Sequence, residues 1–185
     1  MGPRLSLVLV LALGIALATT GYVLMGLIPA AIFTVFLVGG LVAWLLTTYG
    51  RPADPERIVV PYLLAVIFFI VHVFEEYLTE FWVAMSELTG HEIPEFNFLV
   101  IAAFIGPVLW LTGLALFCLR TEIGNYLVWA FIVAMTISEL AHVVFPFVAY
   151  GHFTYFSGLY TAILPLVPAL VCAVRLVQDS RKPAD

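Results

Sequence analysis

The chain has 185 residues, of which 64% are hydrophobic and only 10% are charged, and its formal net charge is −5 at pH 7. Soluble domains carry about 25% charged residues, so this composition excludes a water-exposed globular surface and indicates a lipid environment. The seven basic residues are scattered and form no basic patch with interleaved aromatic residues, so no nucleic-acid partner is expected.

Apolar stretches predict an all-α fold: a polytopic membrane bundle of six transmembrane helices that forms a single membrane domain over residues 1–185. The first 48 residues are too long for one span and are expected to break near Gly26 and Pro29. The expected spans are roughly residues 5–26, 30–48, 58–81, 98–119, 126–148 and 158–177. A signal peptide cleaved near Ala16-Leu17-Ala18 is the alternative for the first span, and it would leave five.

The basic residues indicate the orientation, because cytoplasmic loops are enriched in Lys and Arg. With the N-terminus inside, the cytoplasmic segments contain all seven: Arg4, Arg51, Arg57, Arg120, Arg175, Arg181 and Lys182. The three outer loops contain none. Both termini are therefore expected to be cytoplasmic, and the small size of the chain favours a bacterial cytoplasmic membrane.

Ionisable residues inside the expected spans form two groups. The third span contains His72, Glu75 and Glu76, whose offsets of three and four residues place them on one helix face. The fifth span contains Glu139 and His142, which are three residues apart. Each group lies a similar number of residues along its span, so we expect the two groups to meet at one depth in the outer half of the bilayer.

Unpaired carboxylates at this depth would cost about 2.5–3.5 kcal/mol each. Protonation, pairing with imidazolium or a bound metal ion would remove that cost. His72, Glu76, Glu139 and His142 are expected to bind a divalent metal ion, zinc or iron, since Glu-x-x-His is a ligand spacing of helical-bundle metal sites. Glu75 is predicted as a bridging ligand or general base. A metal-free proton relay and a purely structural polar network remain alternatives.

Three other residues are weaker candidates. His152, just beyond the fifth span, is expected to act as a late ligand or a proton shuttle. Tyr160 and Thr161 lie early in the last span, where packing is the favoured interpretation and donation of a hydroxyl to the site is the other.

The stretch His72-Val-Phe-Glu75-Glu76 resembles the signature of the HXXEE-motif membrane protein family. The later Glu139-x-x-His142 helix and the segment from Tyr155 to Thr161 before a proline-containing last helix are also similar to that family. The resemblance implies a multi-pass membrane protein with signature residues His72, Glu75 and Glu76. It assigns these residues no activity.

The sequence thus favours a metal-dependent membrane enzyme that acts on a lipid-like or small apolar substrate. A zinc site would suit hydrolysis, and an iron site would suit oxygenase chemistry. A proton- or ion-coupled transporter and a structural accessory subunit are the alternatives. The bilayer is the one partner that the composition establishes, and the oligomeric state stays open.

Overall fold

The computed structural model describes residues 3–51 and 53–181, and these form helices joined by turns, with no β-strand among them. Six helical segments are long and apolar enough to cross a membrane, which confirms the predicted all-α bundle of six transmembrane helices. The side of the membrane on which the termini lie stays a prediction. Lys182, which supports that prediction, lies outside the described residues.

In chain order the helices are α1 Pro3–Met25, α2 Leu27–Thr47, α3 Val59–Leu78, α4 Phe81–Thr89, α5 Glu95–Phe98, α6 Gly106–Cys118, α7 Glu122–Tyr150 and α8 Ile163–Ser180. A π-helical segment, Leu99–Ile105, joins α5 to α6, so that Glu95–Cys118 forms one span. Pro107 lies two residues after the end of this segment. A proline ring crowds the carbonyl four residues earlier, and the wider π-helical turns make room for it.

The spans start and end within five residues of the expected boundaries, and two of the differences affect the predicted site. Helix α3 ends at Leu78, because Glu80 adopts a left-handed conformation (φ 54°) and α4 starts a new direction. The last helix begins at Ile163 instead of residue 158, since Gly158 is also left-handed (φ 87°) and residues 157–162 form turns. Both differences lie at the end of the bundle that contains the predicted site.

Helix α7 is the centre of the bundle and packs against α2, α6 and α8. Gly40 of α2 makes this packing tight: a side chain there would place its Cβ 2.5 Å from the Cα of Ala130. Helix α3 packs on α8 and reaches α7 through aromatic rings, with the Tyr62 and Phe69 rings 4.8 and 6.3 Å from that of Phe131. This packing aligns the polar segments of α3 and α7.

Candidate metal centre

The polar residues of α3 and α7 meet in one buried group, the His/Glu cluster (His72, Glu76, Glu139 and His142). The Nε2 atoms of both His72 and His142 lie 3.5 Å from the same Glu76 oxygen. The Nε2 atom of His72 also lies 3.2 Å from Oε2 of Glu139. All four residues are at most 7% exposed, so water does not screen these groups from one another.

The outer partners of the two imidazoles fix which nitrogen faces the cluster. Nδ1 of His142 lies 2.8 Å from the carbonyl oxygen of Ser157, which can only accept, so this nitrogen carries the hydrogen. Nδ1 of His72 lies 3.0 Å from Thr161 Oγ1. The Thr161 hydroxyl donates its one hydrogen to Glu75, so His72 donates from Nδ1 to Thr161. In the neutral rings, both Nε2 lone pairs therefore point into the cluster.

The cluster consequently brings acceptor atoms against acceptor atoms. Two imidazole lone pairs face Glu76, and Oε2 of Glu139, although close to His72, is buried without a hydrogen-bond donor in a good direction. Such an arrangement is repulsive unless a cation or added protons lie between the groups. One ligand atom from each of His72, Glu76 and His142 lies within 4.8 Å of the others, a spacing that one metal ion could bridge.

Glu75 points away from the cluster, toward the α7–α8 loop (residues 151–162). Its carboxylate accepts hydrogen bonds from the Tyr155 hydroxyl at 2.7 Å, the Thr161 hydroxyl at 2.5 Å and the Tyr160 and Thr161 backbone N–H groups at 3.2 and 2.7 Å. These four bonds occupy both oxygens. Glu75 thereby holds Thr161 in place beneath His72, and its predicted role as a bridging ligand or general base gains no support from this geometry.

The α7–α8 loop folds over the two imidazoles at Gly158. A Cβ on this residue would lie 2.6 Å from Cε1 of His142 and 2.8 Å from Cε1 of His72. The left-handed φ of Gly158 also favours glycine. Beside it, the Ser157 hydroxyl lies 2.5 Å from that of Thr79, which ties the loop to the end of α3. The loop thus sets the positions of both rings.

Tyr155 contributes to the same network from outside the spans. Partial burial, together with the hydrogen bond to Glu75, raises the pKa of its phenol. An unperturbed tyrosine has a pKa of about 10. Since the shift is upward, Tyr155 stays protonated and keeps donating to Glu75 throughout the neutral range.

The cluster forms one wall of an apolar cavity, the chamber, with a volume of about 180 Å³. Aromatic and methionine side chains from every span except α8 dominate its other walls: Met25, Phe33, Phe36, Phe69, Phe81, Met85, Phe98, Trp110, Met135 and Phe145. Glu76, Glu139 and both imidazoles border this space, whereas Glu75 does not. The candidate metal centre therefore opens toward an apolar volume.

Other predicted residues lie apart from the cluster. His152 is exposed, and its Nδ1 lies 2.9 Å from the carbonyl oxygen of Tyr150, so its predicted role as a late ligand or proton shuttle finds no geometric support. The Tyr160 side chain is 76% exposed, and only its backbone N–H takes part. Thr161, in contrast, contacts both His72 and Glu75.

The sequence analysis gave no role to Ser157 or Gly158 in orienting the imidazoles. The available signal was a glycine at the end of the expected loop, but the sequence showed neither its left-handed conformation nor which side chains it would cover. Comparisons with protein-family models, curated proteins and solved structures find no match to this chain. The resemblance to HXXEE-motif proteins therefore stays a prediction, and the chain is described by its structure as a multi-pass membrane protein with a buried His/Glu cluster.

Proposed function

We propose that the His/Glu cluster binds a divalent metal ion and that the protein is a metal-dependent membrane enzyme for a lipid-like or small apolar substrate. One observation carries the proposal: two imidazoles, each held by a hydrogen bond at Nδ1, direct Nε2 at the same buried Glu76 oxygen, 3.5 Å away in each case. Metal-binding histidines typically donate their other ring N–H in this way.

The charge of the cluster supports a divalent ion in particular. With neutral imidazoles, ionised Glu76 and Glu139 leave two negative charges in a buried site. No Lys or Arg borders the chamber, and neither carboxylate is paired with one among the ion pairs of the described residues. Two positive charges would balance the site and supply the acceptor atoms with a common partner.

His72, His142 and Glu76 form a two-histidine, one-carboxylate set. This set is used by catalytic zinc, which activates water for hydrolysis, and by non-haem iron in oxygen chemistry. Glu139 was predicted as a fourth ligand, but His72 is the one cluster residue that its Oε2 approaches. Its Oε1 lies 3.3 Å from the Ser138 hydroxyl, and the carboxylate borders the chamber. We assign it instead to proton transfer with a substrate in the chamber, where its Oε2, which accepts no hydrogen bond, can take up a proton.

The surroundings of the cluster favour an enzyme over a proton-coupled transporter. Below the cluster, toward the start of α3 and α7, most of the buried residues are apolar or aromatic, including Val66, Phe131 and Met135, and the buried polar residue of α7 there is the non-ionisable Asn125. No chain of ionisable groups continues through the described part of the bundle. In the orientation predicted from the basic residues, the cluster would be reached from the outer half of the bilayer.

Metal analysis of purified protein tests the proposal. We expect about one zinc or iron ion per chain, and its loss in the double variant His72→Ala Glu76→Ala. The matched control is His152→Ala Glu80→Ala, which removes the same residue types from exposed positions and should retain the metal.

Two results would contradict the proposed metal site. The absence of zinc, iron or manganese from both the wild type and the control would overturn it. Proton flux into liposomes that Glu139→Gln abolishes, in protein without metal, would establish the relay in its place.

A further inference from the structure

We propose that the chamber holds the hydrocarbon chain of a single-chain neutral lipid, which enters sideways from the bilayer between α1 and α6. That this lipid is a substrate rests on the proposed function. The inference restricts the substrate class to lipids with one hydrocarbon chain and an uncharged reactive end. The evidence that a hydrocarbon chain binds here is the shape and lining of two adjacent cavities.

The first observation is a second apolar cavity of about 90 Å³, the mouth, next to the chamber. The two cavities share walls formed by Phe33, Phe36, Ile101, Gly106 and Trp110. The walls that belong to the mouth alone come mainly from Leu17 and Thr20 of α1 and from Ile105 and Leu109 on the opposite side. The mouth therefore leads from the α1–α6 side of the bundle toward the cluster.

The second observation is that this side of the bundle faces lipid. Only 11% of the apolar stretch is buried in α1 and in the Glu95–Cys118 span, compared with 56% in α7. The π-helical segment within the Glu95–Cys118 span has no buried residue, and its Phe104 is 66% exposed. Since the surrounding solvent at this depth is hydrocarbon, acyl chains are the molecules that reach the mouth.

The third observation is the chemistry of the lining. The Thr20 hydroxyl donates to the carbonyl of Ala16 at 2.9 Å, so it satisfies its own helix and offers no free donor to the mouth. By volume the chamber takes on the order of ten water-sized groups, which a chain of similar carbon number would fill. Its polar end consists of Glu76, Glu139, Ser138 and two histidines.

That polar end determines the head group. Two carboxylates without a lysine or arginine among the lining residues disfavour a phosphate or sulfate. A fatty alcohol, aldehyde or ester places an uncharged oxygen at the cluster while its chain lies against Phe36, Phe69 and Trp110. The geometry thus points to a neutral single-chain lipid rather than to a phospholipid.

Photolabelling with a neutral fatty alcohol that carries a diazirine in the middle of its chain tests the inference. Full-length protein in lipid nanodiscs is irradiated, and the labelled residues are identified by peptide mass spectrometry. We expect labels on chamber residues of α2 and α7. Unlabelled fatty alcohol should compete, and an alkyl phosphate of the same chain length should not.

Two matched pairs of variants separate the chamber from the general lipid surface. Ala102→Phe fills the chamber and Thr20→Phe fills the mouth, whereas the same changes at the exposed neighbours Ala103 and Thr19 add bulk toward lipid. Chamber labelling should fall about fivefold or more in the first member of each pair, because inserted bulk excludes the chain. It should stay unchanged in Ala103→Phe and Thr19→Phe.

Labels confined to outward-facing residues, or chamber labelling equal within both pairs, would overturn the chain site. Equal competition by the alkyl phosphate would overturn the neutral head group. Metal analysis of the same preparations decides the proposed function separately. Chamber labelling in protein without metal would support the lipid site and would overturn the proposal of a metal-dependent enzyme.

Discussion

Each end of the bundle contains a glutamate of α7, half-buried Glu122 and buried Glu139, and the two have opposite surroundings. At the start of α7, Glu122 accepts a hydrogen bond from Trp44 Nε1 at 3.2 Å with one oxygen and from the Gly50 N–H at 2.9 Å with the other. Toward its end, Glu139 meets the lone pair of His72 and has an oxygen without a donor. A buried polar group whose acceptors are matched by donors indicates a structural role. A buried group whose acceptor atoms face one another indicates a site for a bound ligand such as a metal ion.

This contrast separates the two kinds of buried polar group without reference to any relative. Asn125, one turn after Glu122, accepts from the Ala53 N–H at 3.3 Å and so holds the α2–α3 connection against α7. The α7–α8 loop is held as firmly by Glu75, but the atoms it orients point inward at an incomplete site. Three changes should test the contrast, beginning with the one of largest effect.

Gly158→Ala should remove metal binding. The new Cβ would overlap both imidazoles, so at least one Nε2 must leave its position, and we expect metal affinity to fall about 100-fold or more. Metal content after dialysis against a weak chelator gives the measurement.

The control for this change is Gly151→Ala in the same loop. Gly151 is also left-handed (φ 75°), and its Cβ would meet nothing within 4 Å. It carries the same backbone strain, about 1–2 kcal/mol, without the overlap. Equal metal loss in both variants would show that loop strain, and not the imidazole contact, is responsible.

Thr161→Val should weaken the metal site without abolishing it. The change keeps the side-chain shape but removes the hydroxyl that links Nδ1 of His72 to Glu75. Loss of such an outer partner typically costs about 10-fold in metal affinity, rising to 100-fold. Competitive titration with a chromogenic chelator measures it.

Thr161→Ser should restore most of the affinity, since it returns the hydroxyl. Thr34→Val, which removes a hydroxyl bonded only to the carbonyl of Ala30 in its own helix, serves as the control. Unchanged affinity in Thr161→Val would show that the orientation of His72 does not depend on this link.

Helical geometry explains how much of this site the sequence could reveal. The offset between His72 and Glu76, the offset between Glu139 and His142, and their similar depth were enough to predict that α3 and α7 meet. The direction of Glu75 was not predictable, because it depends on where the α7–α8 loop returns. His152 follows Gly151, whose turn takes it to the surface, and local spacing does not encode that turn. The chamber depends on packing among five of the six spans and α4.

The smallest and most direct test exchanges Glu for Gln at each end of α7. Glu122→Gln should destabilise the protein by about 1 kcal/mol, since an amide can accept only one of the two donated hydrogen bonds. Glu139→Gln should stabilise chelator-treated protein by about 1 kcal/mol, because it removes a buried charge whose Oε2 accepts no hydrogen bond. Unfolding in graded sodium dodecyl sulfate, after metal removal, measures both. The substitution, the helix and the loss of charge are the same, whereas Glu122 is half-buried in the first turn of α7 and Glu139 is buried. Opposite signs would therefore reflect the partners together with these differences in burial and helix position. If both variants lose stability equally, Oε2 of Glu139 has a donor in the native protein and the cluster is a satisfied polar network.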